Sequence, residues 1–160
     1  METVLIDSEW LAVKPPRGFA PIPHDELEAL MGISYDCMWG MRDPTRHMLV
    51  SVTWKDSNRL ITKLGSEKVV AKRVDETFAK RYRKGGYHCE GHFERAVAGA
   101  SAQAHGFRFS YTVEGIAQEG EVLVFKRDIR CYTLSYYTRT QVAAENHPIF
   151  ESIVASLEVR

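Results

Sequence analysis

The sequence predicts an α+β fold: an antiparallel sheet of about six strands with a long middle helix and a C-terminal helix packed on it. Three observations carry this expectation. Apolar residues alternate with polar ones through the second half of the chain, most cleanly at Phe107, Phe109, Tyr111 and Val113 and again at Tyr132, Leu134 and Tyr136. The links between such runs are short and rich in turn residues, which suits antiparallel neighbours better than crossovers. Two other stretches instead repeat their apolar residues at helical spacing.

Thr3–Asp7 and Trp10–Lys14 read as a first pair of strands, and Pro15-Pro16-Arg17-Gly18-Phe19 as a stiff bend after them. Asp25–Met31 is a short helix with Leu27, Leu30 and Met31 on one face. Tyr35–Arg42 and His47–Lys55 form a hairpin about Asp43-Pro44-Thr45-Arg46, where the proline suits the second position of a turn. Ser66–Lys84 is the long helix. Val70, Val74 and Phe78 recur at four-residue intervals, Val69 widens the stripe, and Ser66 is placed to cap the first turn. Lys80, Arg81, Arg83 and Lys84 crowd its end, where cations complement the helix dipole, and Gly85-Gly86 stops it. Four strands follow: Tyr87–Arg95, His105–Glu114, Glu121–Asp128 and Arg130–Arg139, with Gly115 and Gly120 bracketing one turn. The last helix opens at Pro148 and buries Ile149, Phe150, Ile153, Val154 and Leu157.

A chain of 160 residues is one domain, 1–160, with no linker or repeat to divide it. Lys+Arg and Asp+Glu both number 21, so the zero net charge gives no long-range attraction to nucleic acid or anionic lipid. No apolar run approaches a membrane span, and Met1–Asp7 lacks both a basic start and a long apolar stretch. A cytoplasmic setting follows as the expectation. Cys37, Cys89 and Cys131 are far apart, odd in number and outside any Cys-x-x-Cys pair, which excludes a full disulfide framework. Each falls in an expected strand, where a reduced thiol packs as a small apolar side chain.

Two stretches carry a family resemblance. One is Ala12-Val13-Lys14-Pro15-Pro16-Arg17-Gly18-Phe19, followed by a short helix. The other is Cys131-Tyr132-Thr133-Leu134-Ser135-Tyr136, followed by a loop and then Pro148-Ile149-Phe150-Glu151-Ser152-Ile153-Val154-Ala155-Ser156-Leu157. With this layout the chain resembles the PsbP-like superfamily, which includes the extrinsic PsbP protein of photosystem II, a fungal Ran-binding protein and many small bacterial proteins. The resemblance implies a central antiparallel sheet with helices on both faces, an α/β/α sandwich, and a binding or assembly role more than a catalytic one. It carries no site residue across.

The most suggestive local pattern is His88-x-Glu90-x-His92. On a regular strand these side chains share one face, about 6.5–7 Å apart along the chain, and two histidines with a carboxylate could hold a metal ion completed by another strand. The commoner reading is a half-buried strand, with Tyr87, Cys89, Gly91 and Phe93 inward and His88, Glu90, His92 and Glu94 in water. The basic residues Lys63, Lys68, Lys72, Arg73, Lys80, Arg81, Arg83 and Lys84 are opposed only by Glu67, Asp75 and Glu76. A solvated helix face accounts for them better than nucleic-acid binding. Tyr132, Tyr136 and Tyr137 are candidates for a pocket wall. No Gly-x-Ser-x-Gly elbow is present, no Gly-rich phosphate loop follows a strand, and no cofactor is called for. The sequence thus favours a non-enzymatic protein-binding or adaptor module. The alternative is a metal- or small-molecule-binding enzyme using His88, Glu90 and His92, and an open sheet edge also permits self-association.

Overall fold

The computed structural model describes residues 2–33, 36–56 and 66–160. In chain order the elements are β1 (Val4–Asp7), β2 (Leu11–Val13), β3 (Ala20–Pro21), α1 (His24–Met31), β4 (Met38–Asp43), β5 (Met48–Asp56), α2 (Glu67–Arg81), β6 (His88–Arg95), β7 (Ala104–Val113), β8 (Ile116–Arg127), β9 (Arg130–Arg139), α3 (Ala143–Ser156) and β10 (Glu158–Val159). The main sheet is antiparallel, with order β3-β4-β5-β9-β8-β7-β6, and a small sheet runs β1-β2-β10. Tyr35, the expected start of β4, and Lys63 of the basic run lie outside the described residues.

The main sheet therefore has seven strands, and the expected first strand pair is not part of it. Leu11, Ala12 and Val13 are all buried, so β2 is covered on both faces and shows none of the alternation of an open sheet. The small sheet lies with α3 on one face of the main sheet. There Ile6, Leu11, Val13, Phe150, Ile153, Val154 and Val159 join Val50, Val52, Leu123, Phe125, Leu134 and Tyr136 in one core. Arg130 ties the layers by donating to Asp7 at 2.8 Å and to Asp56 at 2.6 Å.

The opposite face carries α2 and α1. Phe78 and Ala71 of α2 pack on Phe107, Phe109, Val122 and Val124, and Leu27 of α1 packs on Met38 and Ile22. Helices cover both faces, as the resemblance implies. Ser66 caps α2 as expected, its hydroxyl accepting from the Val69 amide at 3.3 Å. Gly86, at φ 67, ends the helical stretch in the left-handed region that favours glycine.

Three boundaries differ from expectation. The β7–β8 turn is Glu114-Gly115, both at positive φ (51 and 78), the signature of a tight hairpin turn. Gly120 consequently lies inside β8, not at a turn. A Cβ there would overlap the Tyr136 carbonyl and sit 2.8 Å from the Phe109 ring, so only glycine fits. The last helix starts at Ala143, before Pro148, and buried Asn146 ties its start to the sheet by donating to Thr138 Oγ1 and to the Arg46 carbonyl, each at 2.8 Å. Cys37 precedes β4 and is exposed, whereas Cys89 and Cys131 are partly buried in strands. No helix among the described residues is long and apolar enough to cross a membrane.

Candidate functional site

The edge strand β6 decides what the histidine pattern becomes. Its pairing with β7 runs His88↔Ser110, Cys89↔Phe109, Gly91↔Arg108 and His92↔Phe107, so Glu90 is skipped. Gly91 stands at φ 126, a value that admits glycine with ease, and the extra residue forms a β-bulge. A bulge reverses the alternation beyond it. Cys89 and His92 therefore stand opposite Phe109 and Phe107 on the α2 face, while Phe93 packs in the core under α3. His88, paired with Ser110, falls on the other face from His92. The simple inward set of Tyr87, Cys89, Gly91 and Phe93 gives way to two half-sets split by the bulge.

His92 is brought instead to Asp75 on α2. Its Nε2 lies 2.9 Å from Asp75 Oδ2, its Nδ1 lies 3.2 Å from His105 Nε2, and the Tyr87 hydroxyl donates to Asp75 Oδ1 at 2.6 Å. Asp75, Cys89 and His92 each present a ligand atom within 4.8 Å of the others. Asp75 is held below the ordinary carboxylate range: the bonds from Tyr87 and His92 outweigh the opposing, and individually largest, effect of burial. Burial, together with the neighbouring Asp75 carboxylate, pushes the Cys89 thiol up. A protonated thiol is a poor nucleophile. A Cys–His–Asp catalytic relay would also place the histidine between the other two, whereas here His92 is bound by Asp75 on one nitrogen and His105 on the other. His105 is the second residue of β7, 7% exposed, and its Nδ1 has no hydrogen-bond partner among the described residues.

The same face of the sheet carries an open groove of about 660 Å³ between the end of α1 and the end of α2. Its floor is a run of same-face residues from adjacent strands: Leu49 pairs with Tyr137, and Tyr111 with Gln118, which pairs with Arg139. Tyr82 stacks on Tyr111 with ring centroids 3.9 Å apart and planes 10° from parallel, forming one flat aromatic wall, and Leu30 and Met31 form the other. The groove's charge is one-sided. Its acid, Asp43, is occupied by the Thr45 and Arg46 amides and the Arg46 guanidinium. Arg42 pairs with Glu26, but Arg139 in the lining and Arg81 beside Tyr111 and Tyr137 have no ion-pair partner among the described residues. Of the tyrosines expected to wall a pocket, Tyr137 lines this groove, and Tyr132, which donates to Asp7 at 2.8 Å, lines a smaller pocket of about 180 Å³ with Trp10 and Arg130. Tyr136 faces away from the groove and stacks on Phe150 at 4.1 Å. Tyr82, Tyr111 and Arg139 escaped sequence reasoning because each looks like an ordinary strand or helix-end residue.

Under α3 lies a third polar group. Buried Glu121 accepts from Arg108 at 3.0 Å, and Arg95 donates twice to Glu151, at 2.9 and 2.8 Å. Glu121, His147 and Glu151 are close enough to share an ion, but both carboxylates already face guanidiniums: Arg108 bonds Glu121 Oε1, Arg95 bonds Glu151, and Glu121 Oε2, with no hydrogen bond among the described residues, lies 3.7 Å from Arg95. This network fastens α3 to the sheet.

No protein-family model matches the sequence, and no curated protein matches it significantly. Solved structures do match. Cyanobacterial PsbP from Synechocystis superposes with a TM-score of 0.71 at 16% identity, over 96% of this chain and 89% of that one. The Ran-binding protein Mog1p of Saccharomyces cerevisiae gives 0.61 at 8% identity, over 99% and 94%. LpqN of Mycobacterium tuberculosis, described as involved in cell envelope biogenesis, gives 0.63 at 10% identity, over 99% and 89%. The chain has the PsbP-like fold. Identities this low establish the architecture alone, since function resides in sites and not in folds.

Proposed function

We propose that this chain is a non-enzymatic binding module whose groove between α1 and α2 seats a segment of a partner protein carrying acidic and apolar side chains. The observation that carries the reading is the groove itself, with a half-buried stacked aromatic wall, Arg139 in its lining and Arg81 near that wall, neither guanidinium having a carboxylate partner among the described residues. Flat tyrosine faces give contact area at little cost in side-chain entropy, and guanidiniums favour carboxylates through paired hydrogen bonds. A groove this open suits an extended peptide better than an enclosed small molecule. A Ran-binding protein among the structural neighbours is in keeping with a protein partner here.

Selection from a random peptide library on the wild-type chain tests this. Enriched peptides are expected to combine Asp or Glu with aromatic or aliphatic residues, and to lose at least about tenfold in affinity against Arg139→Glu, as removing a desolvated charge pair does. Peptides that bind Arg139→Glu and Tyr111→Ala as well as wild type would place binding elsewhere and overturn the reading.

A further inference from the structure

The groove leaves unexplained the most unusual polar arrangement in the molecule, the cluster where α2 crosses the bulged edge strand. We infer that Asp75, Cys89 and His92 form a mononuclear site for a thiophilic divalent cation of the zinc class.

The ligand set is the first argument. An imidazole, a carboxylate and a thiol converge within 4.8 Å, while ligands sharing a tetrahedral zinc ion lie about 3.3–3.8 Å apart. The sulfur decides the class of ion, because thiolate selects zinc-like metals over magnesium or calcium, which take oxygen ligands. As the ion binds, the Cys89 thiol gives up its proton to water and the sulfur takes the metal in its place.

The outer shell is the second, independent argument. In metal sites a ligating histidine commonly hydrogen-bonds through its other nitrogen, and a ligating carboxylate is itself held. Both partners are already present. His105, more than nine-tenths buried and with no other hydrogen bond on its ring among the described residues, meets His92 Nδ1 and leaves His92 Nε2 for the ion. Tyr87 fixes Asp75 Oδ1 and leaves Oδ2 facing His92. The His92 and Asp75 side chains are 30% and 20% exposed, which provides an entry path and leaves the fourth coordination position to water.

The bulge is the device that makes the site. On a regular strand with no bulge at Glu90-Gly91, Cys89 and His92, three positions apart, would stand on opposite faces of β6. The site is also distinct from the His88-x-Glu90-x-His92 set read from the sequence, because it uses His92 and leaves out His88. The two ligand sets make opposite forecasts for one variant.

The test is a Co²⁺ titration of the untagged, full-length chain, followed by its absorption spectrum. Wild type is expected to develop a thiolate-to-cobalt charge-transfer band that saturates at one equivalent. Cys89→Ser should abolish the band, Asp75→Asn and His105→Gln should weaken binding by about tenfold or more, and His88→Ala should bind like wild type. Should Cys89→Ser fail to fold, alkylation of wild type mapped by peptide mass serves instead. Zn²⁺ is expected to slow reaction at Cys89 at least about tenfold, while exposed Cys37 reacts at its unprotected rate. No band in wild type, a band that survives Cys89→Ser, a His88→Ala loss equal to that of Cys89→Ser, or alkylation of Cys89 indifferent to Zn²⁺ would each overturn the inference.

Discussion

Replacing Phe78 with alanine isolates the contact that docks α2 on the sheet. The ring is 5% exposed and sits among five aromatic neighbours: Phe109 at 5.2 Å, Tyr82 at 5.7 Å, Phe107 at 6.1 Å, Tyr137 at 6.3 Å and Tyr87 at 6.4 Å between centroids. Four of these contacts are edge-to-face at 76° to 89°, the geometry that ring quadrupoles favour. Truncating such a ring removes its transfer energy and leaves a cavity, at a cost of about 3–5 kcal/mol. A domain of this size has about 5–15 kcal/mol in all, so the variant should remain folded but sit close to its limit. At about 2–4 °C per kcal/mol, the thermal midpoint should fall by about 6–20 °C. Urea unfolding followed by circular dichroism gives the free energy directly, provided the slope against denaturant is unchanged. Val69→Ala on the same helix, at a site 39% exposed, is the control and should change stability by no more than about 0.5 kcal/mol. A Phe78→Ala loss under about 1 kcal/mol, or one equal to the control, would refute this account of how α2 is held.

Two further outcomes follow from packing and charge. Gly120→Ala should destabilise by about 2–4 kcal/mol, because the new methyl meets the Tyr136 carbonyl and the Phe109 ring, and a urea midpoint equal to wild type would contradict the placement of Gly120 inside β8. Glu121 carries a pH signature. Burial outweighs Arg108 and Arg95 and holds its carboxyl above the ordinary 4.5, so the folded state favours the protonated form. That preference costs nothing below the ordinary value and reduces stability as pH rises through it toward the folded value. Glu121→Gln, which keeps an acceptor for Arg108, should therefore gain on wild type as pH rises above the ordinary 4.5, measured as paired urea midpoints, and a difference that shrinks with rising pH would contradict the assignment.

Much of the fold was legible because strand alternation is a local property. Phe107, Phe109 and Tyr111 announce one face of β7 wherever the strand lies, and Val70, Val74 and Phe78 announce the buried stripe of α2. Positions set by tertiary packing were not legible. β10 is two residues long and exists only because β2 offers it an edge. Pro148 reads as a helix start, and only Asn146, reaching Thr138 from the preceding turn, shows the helix already under way. The candidate metal site shows the same division. His92 belongs to the pattern visible in the sequence, but its partners Asp75 and His105 lie 17 and 13 positions away in sequence. The glycine at position 91 was the one local sign that β6 would break its alternation, since glycine inside a strand pattern marks a bulge. In the groove, Arg139 and Tyr111 become neighbours only through the pairing of β7, β8 and β9.

The central claim, that the groove between α1 and α2 is the binding surface, is tested most directly by backbone amide shifts recorded while a selected acidic peptide is titrated into the isotope-labelled chain. The account predicts saturable shifts concentrated at Leu30, Met31, Leu49, Tyr82, Tyr111 and Arg139, with α3 and the small sheet unmoved. Shifts centred on α3, or on Trp10 and the small sheet, would contradict it.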